Sequence, residues 1–105
     1  MLYRVQISSP LPGRLAAYLL RSKIGIALQE KHGSKLIGQW RQISGNVKRI
    51  ITLWAYADFA AYEKCQGGLR SDPDAQEFAR QEQDDPANGE VCIEFFEPTE
   101  NSPLQ

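Results

Sequence analysis

The chain has 105 residues, 42% of them hydrophobic and 24% charged, which is the size and composition of one ordinary globular domain. No stretch comes near the roughly 18 uninterrupted apolar residues that a membrane-spanning helix needs. The formal net charge of -1 hides an asymmetry: residues 1–56 carry nine Lys/Arg and one acid, and residues 57–105 carry three Lys/Arg and twelve acids.

The basic residues stand singly, with only Lys48 and Arg49 adjacent. The expectation is therefore that the two halves neutralise each other, with no nucleic-acid surface and no membrane surface as partner. The opening residues run straight into a strand pattern without the apolar core of a signal peptide, so a cytoplasmic location is expected. In that setting Cys65 and Cys92 are read as two reduced thiols.

Residues 2–8 alternate as a strand, Tyr3, Val5 and Ile7 on one face and Arg4 and Gln6 on the other. Pro10, Pro12 and Gly13 stop it. A helix follows over about 14–31. Its stripe of Ala16, Leu20, Ile24, Ala27 and Leu28, widened by Leu15 and Leu19, is expected to face the core. Gly25 suggests a kink, and Gly33 suits the left-handed position past the helix end.

Residues 35–43 read as a second strand, joined through Ser44-Gly45-Asn46 to a third over 47–56. That third strand is apolar on both faces, with Val47, Ile51, Leu53 and Ala55 on one and Ile50, Trp54 and Tyr56 on the other. Asp58 is placed to cap a helix that Gly67-Gly68 weakens or ends. Asp72-Pro73 reads as a second helix start, with Phe78 facing inward. A loop over 82–89 and a last strand over 90–97 complete the domain, and residues 98–105 read as a flexible tail.

The order strand, helix, strand, strand, helix or helix pair, strand points to an α+β domain of the ferredoxin-like βαββαβ kind, with a four-stranded antiparallel sheet. Helices can cover only one side of such a sheet. An apolar second side calls for another sheet against it, and a symmetric homodimer supplies one.

Three segments then carry a resemblance. Glu30-Lys31-His32-Gly33-Ser34-Lys35-Leu36-Ile37-Gly38-Gln39-Trp40, Leu53-Trp54-Ala55-Tyr56-Ala57-Asp58 and Asp72-Pro73-Asp74-Ala75-Gln76-Glu77-Phe78 resemble, in order, segments of the NIPSNAP family. Tyr3 and Pro12-Gly13 also fit. The resemblance implies the dimeric α+β barrel fold and no particular reaction, since fold alone assigns no chemistry. The chain departs from the family pattern at four places. Gln6 and Ser8 stand where members usually carry Arg and Tyr, Thr52 stands where they often carry His, and Ala75 stands in place of a Trp.

His32, the sole histidine, is a candidate general base, although its place at a helix end equally suits a cap. Arg41 and Arg49, on adjacent strands of the hairpin, are candidates to clamp a carboxylate or enolate, although such residues are more often solvated or paired with acids, and Arg4 and Gln6 on the first strand carry the same two readings. Tyr3, Trp40, Trp54 and Tyr56 are candidate walls for a flat apolar or aromatic ligand, with Gly38 giving room beside Trp40. Cysteine and histidine spacing supports no metal site, and no cofactor is implied. Three functions compete on these residues. One is a homodimer binding a small apolar or aromatic molecule. Another is a cofactor-independent monooxygenase or isomerase acting on an aromatic or polyketide-like substrate. The third is a protein-interaction module.

Overall fold

A computed structural model describes residues 1–105. The elements are β1 (Leu2–Pro10), α1 (Leu15–Lys31), β2 (Lys35–Arg41), β3 (Ile50–Tyr56), α2 (Phe59–Ser71), α3 (Pro73–Asp84) and β4 (Asn88–Phe96). The sheet has the order β2-β3-β1-β4, with every neighbouring pair antiparallel. This is the ferredoxin-like α+β arrangement expected from the order of elements. No helix is long and apolar enough to cross a membrane.

The registers assign the two faces. Arg4 lies opposite Trp54, Gln6 opposite Thr52 and Ser8 opposite Ile50, so with Tyr56 these residues share one side. That side carries the helices. The other side carries Tyr3, Val5 and Ile7 from β1 and Ile51, Leu53 and Ala55 from β3; Tyr3 and Ala55 are buried there, and the Tyr3 hydroxyl donates to the Gln105 carbonyl at 3.3 Å. In β2 the pairing shifts between Leu36 and Gly38. The extra residue, Ile37, is a bulge that turns the strand over by one position. Leu36 and Gln39 consequently face the helices, and Gly38 and Trp40 face away.

Two apolar clusters form beneath the helices. Leu2, Trp54, Tyr56 and Cys65 pack with Ile26, Tyr62, Leu69 and Phe95 at one end. Tyr18, Ile50 and Ala87 pack with Leu15 and Ala17 at the other. The expected neutralisation is met in part: of the nine basic residues in the first half, Arg14 pairs with Asp85, Arg21 with Glu82 and Asp85, and Lys31 with Asp72. Cys65 is buried, Cys92 is exposed, and both are free.

Several expectations need correction. Most of the stripe of α1 assigned to the core faces outward: Ala16, Leu19, Leu20, Ile24 and Ala27 are exposed, Leu20 at 66% and Ile24 at 52%, and only Leu15 and Leu28 are half-buried. Tyr18, Ser22, Gly25 and Gln29 turn toward the sheet side instead. Gly25 neither kinks nor breaks α1, which runs unbroken to Lys31. A Cβ there would stand 3.1 Å from Cζ of Phe78, so the glycine lets the α3 ring lie against the α1 backbone. The hairpin connection is longer than a tight turn, since β2 ends at Arg41 and β3 begins at Ile50. The segment from Glu82 is not all loop: α3 continues to Asp84, and β4 begins at Asn88.

Gly67-Gly68 does not end α2, which runs to Ser71, and the second glycine has a packing role. A Cβ on Gly68 would stand 2.5 Å from Nδ1 of His32, whereas one on Gly67 meets only Nη2 of Arg70, at 3.9 Å. His32 cannot simply move aside, since its Nε2 lies 2.7 Å from Oδ2 of Asp72. Opposite outcomes are expected in denaturant titrations. Gly67→Ala gains about 0.5–1 kcal/mol through helix propensity, and Gly68→Ala loses about 1–3 kcal/mol through overpacking.

Candidate functional site

The two core clusters do not meet, and a cleft of about 560 Å³ lies between them, within the size range of small-molecule sites. Its floor is the sheet, through Gln6, Thr52 and Trp54. One wall is α1, with Tyr18, Ser22, Gly25 and Ile26. The other is formed by Leu69 of α2 and by Ala75, Phe78 and Glu82 of α3. Trp54 and Phe78 give it aromatic surfaces.

The polar groups around the floor are neutral and tied together. The Gln39 side-chain amide donates to Oγ of Ser22 at 2.9 Å and to Oγ1 of Thr52 at 3.1 Å. Burial pushes the Tyr18 hydroxyl above its usual pKa, opposed by its hydrogen bond with Ser8 and reinforced by the charge of Glu82. Tyr18 therefore stays protonated at neutral pH. Glu82 closes the far end. Its Oε1 accepts from the amides of Ala87 at 3.0 Å and Asn88 at 2.9 Å, and its Oε2 accepts from Arg21. Burial pushes its pKa up, but the Asn88 amide, Arg21 and the Ala87 amide outweigh that and hold it below the usual value.

Next to the floor stands an unusual side chain. Arg4 is 4% exposed, and its Nε and Nη2 have no hydrogen-bond partner. Its guanidinium carbon lies 5.6, 5.9 and 5.7 Å from the ring centroids of Trp54, Tyr56 and Tyr62. Cation–π attraction to these rings offsets part of the desolvation. A buried guanidinium without an anion still carries a penalty of several kcal/mol, on the order of that seen when one partner of a buried ion pair is removed.

The residues singled out from the sequence fall in four places. Trp54 lines the cleft. Tyr56 lies in the core, its hydroxyl 2.8 Å from Oγ of Ser34, which is in turn 2.9 Å from Sγ of Cys65. Tyr3, Gly38 and Trp40 belong to the helix-free face, where the Trp40 ring covers Gly38 so closely that a Cβ would come within 2.7 Å of it. His32 caps α1 and is bound to Asp72.

His32 precedes β2 and Arg41 ends it, so the length of the strand, about 20 Å, separates them. Arg41 pairs with Ile50 and shares its helix-side face, beside a hollow of about 240 Å³. Arg49 precedes Ile50, and its charge acts on Cys92, across the helix-free face. The structure thus does not bring His32, Arg41 and Arg49 together.

Tyr18, Thr52, Ala75 and Phe78 were not singled out as a site. One signal was present. Gln6, Thr52 and Ala75, all departures from the NIPSNAP pattern, line this one cleft, and the fourth, Ser8, is fully buried beside it.

The comparisons agree with the geometry. The family model described as NIPSNAP matches residues 11–103. A NIPSNAP family protein of Agrobacterium tumefaciens superposes with a TM-score of 0.88 at 25% identity, over 99% of this chain and 98% of that one. An uncharacterised NIPSNAP domain protein of Burkholderia xenovorans gives 0.87 at 23%, over 98% and 99%. A second Agrobacterium tumefaciens protein gives 0.87 at 24%, over the whole of both chains. No curated protein matches. With the model covering most of its length and the sheet and helices in the same order, the chain belongs to the NIPSNAP family.

Proposed function

We propose that this protein is a homodimer that binds a small, flat, largely apolar molecule in the cleft of each subunit. The observation that carries the reading is the cleft itself, with Phe78 on its wall and Trp54 beside the neutral hydrogen-bonding groups of Gln6 and Thr52 on its floor. Such a floor orients a ligand without demanding charge at its centre. Ala75 supports the same reading, because a Trp at that position would project into the space.

Pairing rests on the other side of the sheet. Val5, Ile7, Ile51 and Leu53 are only half-buried there, and Trp40 and Phe96 are about half exposed. A contiguous apolar face of this kind is uncommon on a lone soluble chain. A second copy turned by a two-fold axis meets it with the same side chains, and each Å² of apolar surface covered contributes about 25 cal/mol. The cleft remains open in such a dimer, since it lies on the opposite side of the sheet.

Two measurements test the proposal. The wild-type protein is expected to sediment as a dimer at micromolar concentration, and Leu53→Lys as a folded monomer; a wild-type monomer ends the pairing. 2-Naphthylmethanol is expected to raise the Tm of the wild type and not that of Ala75→Trp. Equal shifts in the two would show that the compound binds outside the cleft and would end the cleft reading.

A further inference from the structure

We infer that Arg4 is an anion receptor at the Trp54 end of the cleft, and that the ligand is an aromatic or apolar carboxylate. The inference rests on the cleft-binding reading and extends it to the charge of the ligand.

The side chains that box this guanidinium carry no counter-charge. Tyr56 and Tyr62 of its aromatic box, like Trp54, offer ring faces rather than a counter-charge. Phe95, its register partner on β4, offers none either. The Asp and Glu side chains engaged in ion pairs serve Arg14, Arg21, Lys31, His32 and Arg80, and none serves Arg4. Gln66, one turn along α2 from Tyr62, has a buried side-chain nitrogen that also lacks an acceptor. The region under α2 thus holds three buried N–H-bearing atoms, Arg4 Nε, Arg4 Nη2 and Gln66 Nε2, without acceptors. Buried donors are ordinarily satisfied, and a guanidinium fork matches a carboxylate with two parallel hydrogen bonds.

The neighbouring cleft supplies the route. Arg4 does not itself line the cleft, but it lies opposite Trp54 across the strands and precedes Gln6 on the same side of β1 at about 6.8 Å, so a turn of its flexible arm brings the guanidinium to the cleft. A ring seated against Trp54 and over Gln6 would present a carboxylate toward Arg4. A partner subunit on the helix-free face cannot provide the anion, because the sheet stands between.

The test compares 2-naphthoate with 2-naphthylmethanol by calorimetry, on wild type and on Arg4→Met, with sodium formate and sodium chloride at equal ionic strength as small-anion probes of thermal stability. The wild type is expected to bind the carboxylate about tenfold or more tightly than the alcohol. Arg4→Met is expected to lose that preference while keeping its affinity for the alcohol. Formate is expected to raise the wild-type Tm above its value in chloride, and Arg4→Met is expected to lack that difference, which separates a site from the general effect of the salt. Equal affinities in the wild type, or a preference that survives in Arg4→Met, overturn the anion receptor and leave the cleft reading standing. If neither ring compound binds, the cleft reading falls, and formate decides the rest: a rise that Arg4→Met lacks keeps Arg4 as an anion site, and no rise, or one that survives in Arg4→Met, overturns it.

Discussion

Trp54→Ala is expected to cost about 3–5 kcal/mol of folding stability, lowering Tm by roughly 15–25 °C in a domain of this size. Trp54 is 3% exposed and belongs to the cluster with Leu2, Tyr56 and Cys65. Its indole also forms one end of the cleft and one face of the Arg4 box. Removing it joins a new void to an existing one, so the surroundings have little to collapse onto, and the cost falls at the high end of the range for aromatic deletions. The contrast is Trp40→Ala. Trp40 is 52% exposed on the helix-free face, and its loss should change chain stability by less than about 1 kcal/mol at concentrations where the chain is monomeric. Urea titrations of the two variants, run side by side at low protein concentration, check this. Equal losses would mean that the assignment of the two tryptophans to opposite faces is wrong.

That pair of residues also marks what sequence reasoning could reach. The alternation in 50–56 separated Trp54 and Tyr56 from Leu53 and Ala55, and the registers bear this out. The caps were legible for a local reason: Asp58 accepts from the Ala61 amide, and Asp72 accepts from the Asp74 amide with Pro73 following. A side chain two or three residues from its partner leaves its mark in the sequence.

The orientation of α1 was not legible, because the helix is apolar on more than one side. Leu15, Tyr18 and Ile26 face inward while Leu20 and Ile24 face out, and periodicity alone favours the denser stripe. The inner face is the more polar because it borders a cleft rather than a filled core. The same reason hid the site. Gln6, Ser22 and Thr52 look like ordinary solvated positions until the sheet and α1 bring them together. The bulge at Ile37 was equally invisible, and it decides which side Trp40 occupies. Gly25 and Gly68 were read as helix weaknesses because their function lies in the approach of Phe78 and His32, from remote parts of the chain.

Asp72 provides the largest expected pH effect. It is nearly buried, and its carboxylate joins the end of α1 to the start of α3. Oδ2 accepts from Nζ of Lys31 at 2.8 Å and lies 2.7 Å from Nε2 of His32, and Oδ1 accepts from the Asp74 amide at 2.9 Å. The hydrogen bond from Lys31, then that from His32, then the Asp74 amide hold the carboxyl far below the usual carboxylate range. In the unfolded chain the same group titrates near 3.9. Between those two values the unfolded state binds the extra proton, so stability rises with pH there. The contribution of Asp72 is complete above the unfolded value and is lost as pH falls through the folded one.

Asp72→Asn keeps a side-chain acceptor for the α3 amide but has no charge for Lys31 or His32. Its Tm at pH 7 is expected to lie below that of the wild type by roughly 5–10 °C. As pH falls from about 4 toward 2 the gap should narrow, because the wild type loses an interaction that the variant never had. Glu77 and Glu82 also have lowered pKa values, so both proteins lose stability in acid. The difference between their two curves isolates Asp72. A gap of constant width from pH 8 to pH 2 would show that the carboxylate charge contributes nothing to this junction, leaving Asp72 as a neutral cap.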